Sequence, residues 1–113
     1  MEKLADRSCV PCHGGVPRLR GEEAERFMKE LRGWELVEEH HLSKRFEFSN
    51  FAEALEFVNR AGLVAEREGH HPDITFGWGY AHFKIYTHAI DGLSESDFIL
   101  AAKVDEIQEG GKG

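Results

Sequence analysis

Asp73-Ile74-Thr75-Phe76-Gly77-Trp78-Gly79-Tyr80-Ala81-His82-Phe83-Lys84-Ile85-Tyr86-Thr87 is the stretch that decides the fold. Ile74, Phe76 and Trp78 alternate with Asp73, Thr75 and Gly77, and Ala81, Phe83, Ile85 and Thr87 alternate with His82, Lys84, Tyr86 and His88. A period of two puts each apolar set on one face of a strand. Gly79-Tyr80 suits a two-residue type II′ turn, because glycine accepts the positive φ demanded at the first position. An antiparallel hairpin with one buried face is predicted. In ideal register, that turn sets His88 opposite His71.

Upstream, Pro72 bars a helix and Gly69 suits a helix end. The helix it ends begins at Asn50, a cap with Glu53 three residues on, and Phe51, Leu55 and Val58, with Ala54, Phe57, Ala61 and Val64 beside them, give it a broad apolar face as it runs to about Glu68. Before it, Trp34 and Leu36, then Leu42, Phe46 and Phe48, alternate on either side of Glu38-Glu39-His40-His41, predicting a second hairpin with a polar turn. Ala24, Phe27, Met28 and Leu31 recur at helical spacing, with Gly33 placed to end that first helix. Downstream, Ser94 with Asp97 forms a capping pair, and Leu100, Ala101, Val104 and Ile107 supply a last buried face. The order is α-β-β-α-β-β-α. Hairpins rather than crossovers join the strands, so an α+β, two-layer fold is expected: a four-stranded, largely antiparallel sheet with helices on one face. The other face and the edges are then available for oligomerisation.

A chain of 113 residues cannot be halved and leave two adequate cores, so residues 21–109 are read as a single domain, preceded by an irregular arm (1–20) and followed by a flexible tail (110–113). The formal charge of −7 and the lack of a basic run argue against direct nucleic-acid binding. No apolar stretch approaches the ~20 residues of a membrane span, and the N-terminus has no signal-peptide core, so a cytoplasmic location is the expectation.

Cys9 and Cys12, followed by His13, form a C-x-x-C-H segment open to three readings: a redox pair, half a metal site, or haem attachment. Each lacks a necessary companion. Haem attachment needs export, zinc needs further ligands at standard spacing, and a redox pair needs a strand before it and a helix after it. A functionally silent arm is the favoured reading.

Of the seven histidines, His13, His40 and His41 fall on the arm or a turn and read as solvated surface. His70 and His71 sit where a helix has ended and a strand begins, and Glu66, four residues before His70, lies one helical turn away and suits holding that imidazole in one tautomer. With His88 brought back by the hairpin, three imidazoles around one cleft suit general acid/base work. Zinc or iron is the competing use, but adjacent histidines tend to diverge and no H-E-x-x-H is present. A helix-end polar cluster is the plainest alternative. Asp97 is accounted for by capping, and Trp78 by core packing.

The spacing Glu66, His70-His71-Pro72, Trp78, His88, Asp97, together with Thr87-His88-Ala89-Ile90-Asp91-Gly92-Leu93-Ser94, resembles the pterin-4a-carbinolamine dehydratase family. Cys9-x-x-Cys12, Gly14-Gly15-Val16-Pro17 and Gly33-Trp34 look similar to bacterial members. The turn at Gly79-Tyr80 and the Ala89-Ile90 step depart from better-known members, which carry an Asn-containing turn and an acidic residue there.

The resemblance implies dehydration of 4a-hydroxytetrahydropterin to quinonoid dihydropterin, recycling the pterin used by aromatic amino-acid hydroxylases, with no metal or organic cofactor. It implies His70, His71 and His88 as catalytic residues, Pro72, Thr87, Ala89 and Ile90 as pterin-binding residues, and Glu66, Asp97 and Trp78 as supporting residues. A homodimer or homotetramer is implied too. Other roles within the same resemblance are a dimerisation cofactor for a transcription factor and a step in another pterin or molybdenum-cofactor pathway. The hairpin register favours His71 and His88 as the acid/base pair, with His70 binding or orienting.

Overall fold

The computed structural model describes residues 3–7 and 18–110, with side chains to residue 108; Cys9, Cys12 and His13 lie outside it. Its elements are α1 (Gly21–Met28), β1 (Glu35–Val37), β2 (His41–Glu47), α2 (Phe51–Glu68), β3 (Asp73–Gly77), β4 (Tyr80–Ile85) and α3 (Glu95–Gly110), with short 3-10 turns at Leu4–Asp6 and His88–Ile90. The strands form one antiparallel sheet in the order β1-β2-β4-β3. The expected element order and fold class are both observed.

Alternation sorts the sheet into two faces. Leu42 and Phe46 of β2 and Ala81, Phe83 and Ile85 of β4 are buried beneath α2 and α3, while Ser43, Arg45, His82 and Lys84 point the other way. Phe46 anchors the core, with ring centroids 4.8 Å from Phe57, 5.5 Å from Phe83 and 6.1 Å from Trp34. A polar cluster pins α3 to the sheet: Trp34 Nε1 donates to both oxygens of Asp105 at 3.0 Å, and Lys44 Nζ donates to Asp105 Oδ1 at 2.7 Å. Burial pushes the Asp105 carboxyl above its ordinary range, against the pull of Lys44 and the Trp34 hydrogen bond.

Three local differences from the sequence reading matter. Helix α1 stops at Met28, short of Leu31, which still packs on the core; Gly33, at φ +76, closes the turn after the helix rather than the helix itself. The core also begins earlier than the periodicity predicts. Leu4 is 2% exposed within it, Lys103 Nζ donates to Ala5 O at 2.8 Å, and Arg7 bonds Glu95.

The third difference is register. Gly77 pairs with Tyr80, so the two-residue turn is Trp78-Gly79, not Gly79-Tyr80. Gly79 supplies its positive φ of +84 at the second position rather than the first, ruling out type II′. Phe48 N donates to Gly79 O at 2.8 Å, binding the turn to the chain beyond β2. The ladder therefore shifts by two residues, so Asp73 pairs with Lys84 and the register no longer sets His71 opposite His88.

Helix α2 begins as expected, with Asn50 Oδ1 accepting from Glu53 N at 2.9 Å, while the Glu53 carboxylate accepts from Ser49 N at 2.9 Å. It ends in a paired motif: Gly69 N donates to Glu66 O and His70 N to Ala65 O, with Gly69 left-handed at φ +66. An added Cβ at Gly69 meets nothing within 4 Å, so only backbone strain opposes it. Gly69→Ala is expected to cost about 1 kcal/mol, checked as a shift in the thermal midpoint. Among the described residues, no helix is long and apolar enough to cross a membrane.

Candidate active site

The end of α2, the start of α3 and the loop after β4 meet at one end of the sheet. Asp97, 0% exposed, is the hub. Its Oδ2 accepts from Ser94 N and from Thr87 Oγ1, both at 2.8 Å, and its Oδ1 faces His70 Nε2 at 2.5 Å. Opposite a carboxylate, that ring nitrogen must be the donor, which leaves Nδ1 as the accepting atom of a neutral His70. Capping alone does not account for Asp97, as the sequence suggested: one oxygen caps α3 and the other orients a histidine.

Glu66 also has a different partner from the one expected. It pairs with His71, Oε2 to Nε2 at 2.6 Å, and not with His70. The left-handed Gly69 is the cause. The spacing of four residues brings side chains together only while the helix continues, and the reversal at Gly69 turns His70 inward, 12% exposed, and leaves His71 outside at 58%. The two imidazoles diverge onto separate carboxylates.

His88 lies on the 3-10 turn after β4, 60% exposed, with its ring 4.2 Å from Tyr86 and its Nε2 4.0 Å from Asp73 Oδ2. That separation exceeds hydrogen-bond length. The loop is closed by two backbone bonds, Thr87 N to Gly92 O at 2.8 Å and Gly92 N to Thr87 O at 3.4 Å. Thr87 is buried, and its hydroxyl, bonded to Asp97 and to Ser94 Oγ at 2.9 Å, braces the site. Pro72 and Ile90 are half-buried and Ala89 is exposed at the same end.

Trp78, by contrast, is no core residue. It stands 72% exposed at the hairpin tip, five residues from Asp73 and so roughly 17 Å along the strand at ~3.3 Å per residue. The structure does not bring it to the histidines of its own chain. Two grooves, of 660 and 480 Å³, likewise lie elsewhere, between α2 and the end of α3. Among the described residues no three His, Cys, Asp or Glu side chains are grouped as a metal ion needs.

Sequence reasoning passed over Asp73, Tyr86, His40 and Asp91. Asp73 and Tyr86 carried a signal, flanking Pro72 and Thr87-His88; His40 and Asp91 are separated by 51 residues and carried none. Neither His40 nor His41 is the solvated turn residue expected. Both are half-buried, joined Nδ1 to Nδ1 at 3.0 Å.

Burial, helped by the Lys84 ammonium and the His40 ring, holds His41 below the ordinary histidine range. The folded state thus resists protonating His41 more than the unfolded chain does, so this contribution to stability is present above the unfolded pKa near ~6.5 and lost as pH falls through the lower folded value. Thermal midpoints followed from pH 7.5 down to about 5 are expected to fall less steeply in His41→Gln than in the wild type.

Residues 17–107 match the family described as Pterin 4 alpha carbinolamine dehydratase. A protein of Rubrobacter xylanophilus named "Putative pterin-4-alpha-carbinolamine dehydratase" is 61% identical over 107 residues, covering 95% of this chain and 100% of that one. One of the same name from Alkaliphilus metalliredigens is 48% identical, covering 96% and 98%. Among solved structures, a transcriptional coactivator/pterin dehydratase from Brucella melitensis superposes with a TM-score of 0.75 at 28% identity, covering 80% of this chain and 98% of that one. A pterin dehydratase-like RuBisCO assembly factor of the alpha-carboxysome superposes at 0.58, also 28% identical, covering 67% and 89%. With the match spanning nearly the whole folded part and the histidines gathered at one end of the sheet, the chain belongs to the pterin 4 alpha carbinolamine dehydratase family of hydro-lyases.

Proposed function

We propose that this protein dehydrates 4a-hydroxytetrahydropterin to quinonoid dihydropterin and water, using histidine acid/base chemistry and no cofactor. The observation that carries the reading is the difference in how the three imidazoles are held. His70 is locked by a buried carboxylate, His71 is bonded to an exposed one, and His88 has none within hydrogen-bond distance among the described residues. A ring whose donor is committed to a buried carboxylate orients substrate well but exchanges protons poorly. Rings that face water are the ones able to gain and lose a proton in each turnover. His71 and His88 are therefore the acid/base pair, and His70, with Asp97 and Thr87 behind it, the positioning residue.

In the reaction one imidazole removes the proton from pterin N5, the N5 electron pair forms the C4a=N5 double bond, and the C4a–O bond breaks as the other imidazolium protonates the departing hydroxyl. Transfer of one proton between the rings, through water, restores both. Pro72, Ala89 and Ile90 supply pterin contacts beside the histidines. The protein acts as a homodimer or homotetramer in the cytoplasm, and Trp78, exposed at the hairpin tip, serves the site of another copy. Formation of quinonoid dihydropterin from freshly generated 4a-hydroxytetrahydropterin tests the reading: acceleration over buffer is expected, and its absence would reject it.

A second reading, a protein-interaction module, is favoured by the exposed Phe51, Leu55 and Leu63 on α2 and by the two structural relatives, described as a transcriptional coactivator and a RuBisCO assembly factor. It uses a surface apart from the histidines and is compatible with the first.

A further inference from the structure

Among the described residues the His88 ring makes no hydrogen bond, so the ring's place depends on whatever holds its loop. We infer that the β1–β2 turn does this, with His40 as a positioning residue that grips the loop through Asp91 and supports the His88 ring through Tyr86. This rests on the dehydratase reading of His88.

The contacts form a continuous path. His40 Nε2 donates to Asp91 Oδ1 at 2.7 Å. Asp91 is the residue that ends the His88–Ile90 turn, with its N–H donating to His88 O at 3.2 Å and its backbone left-handed at φ +48. The Tyr86 ring touches both imidazoles, 4.6 Å from His40 and 4.2 Å from His88. His40 is itself well anchored. Its N–H donates to Val37 O at 2.9 Å and its Nδ1 meets His41 Nδ1, while neighbouring Glu39 accepts from Gly21 N at 3.1 Å, tying the turn to α1. From the opposite side, Arg18 donates to Asp91 O at 3.2 Å and Leu19 N to Leu93 O at 2.8 Å. Charged groups near this path include Arg18 beside Asp91, Lys84, His82 and Glu38 beside His41, Lys84 also over the Tyr86 ring at 5.5 Å, and Asp73 4.0 Å from His88.

An ion pair with one exposed partner adds little to global stability. Its value here is local, since small misplacement of a reacting group costs far more in rate than in folding. That separation makes the idea testable. His40→Ala and Asp91→Gly each break the grip, the glycine without opposing the left-handed backbone. His40→Gln and Asp91→Asn keep a donor and an acceptor in place and serve as rescues.

In the broken variants, amide hydrogen exchange at Ile90, Asp91 and Gly92 is expected to rise about tenfold while Phe83 and Ile85 in β4 stay unchanged. The kcat of dehydration is expected to fall about tenfold with KM within about twofold and the thermal midpoint unmoved. The rescues should regain most of both. Unchanged exchange, or raised exchange with undiminished kcat, would overturn the inference. A wild type without dehydratase activity would instead remove the reading of His88, and the exchange measurement would still decide whether His40 holds the loop.

Discussion

Asp97→Ala is expected to lower the unfolding free energy by about 3–5 kcal/mol, because it takes a buried acceptor from two buried donors and one part-buried donor. Ser94 N and the Thr87 hydroxyl lose their shared acceptor, and His70 Nε2 loses its own. For a domain of this size the loss should pull the thermal midpoint down by about 10 °C or more, read by calorimetry. Asp97→Asn separates the two duties. An amide oxygen still serves one side, but the amide nitrogen cannot accept on the other. The expected outcome is a milder loss of stability with most of the dehydration rate gone. A variant as stable and active as the wild type would show that the buried carboxylate does not hold the site together.

His71→Ala and His88→Ala are expected to reduce kcat for dehydration by about 10²–10⁴-fold each, the usual contribution of a positioned acid or base. Both side chains are more than half exposed, so the thermal midpoint should move by no more than about 4 °C. Because the rings act on one proton-transfer cycle, the double variant should be scarcely slower than either single one. His70→Ala should differ in kind, losing stability as well as rate, since it leaves Asp97 Oδ1 buried without its donor. If His71→Ala and His88→Ala kept full rate in the coupled assay, catalysis would have to be assigned to other groups.

The elements were legible because each depends on neighbours in the chain. Asn50 and Glu53 announced the start of α2, Gly69 and Pro72 its end, and the alternation through Ile74 and Phe83 announced the hairpin. The positions of His70, His71 and His88 near one end of the sheet followed from those elements and from the family resemblance. What failed was finer. The turn sits at Trp78-Gly79 because the positive φ is needed at its second position, and glycine alone does not say which position it fills. That single choice moved the ladder by two residues and removed His71 from the position opposite His88.

The partners of the histidines were illegible for a related reason. Glu66 and His70 have the spacing of a helical pair, but the pairing rule stops where the helix stops, and the left-handed Gly69 hands Glu66 to His71. Asp97 meets His70 across 27 residues and His40 meets Asp91 across 51, distances over which no local pattern operates. The sequence by itself determined the strands, the helices, their order and the set of histidines, since periodicity, caps and turns are short-range. Only the tertiary structure decided which carboxylate holds which imidazole, because that depends on how separate elements dock, and docking is governed by the shared core rather than by spacing along the chain.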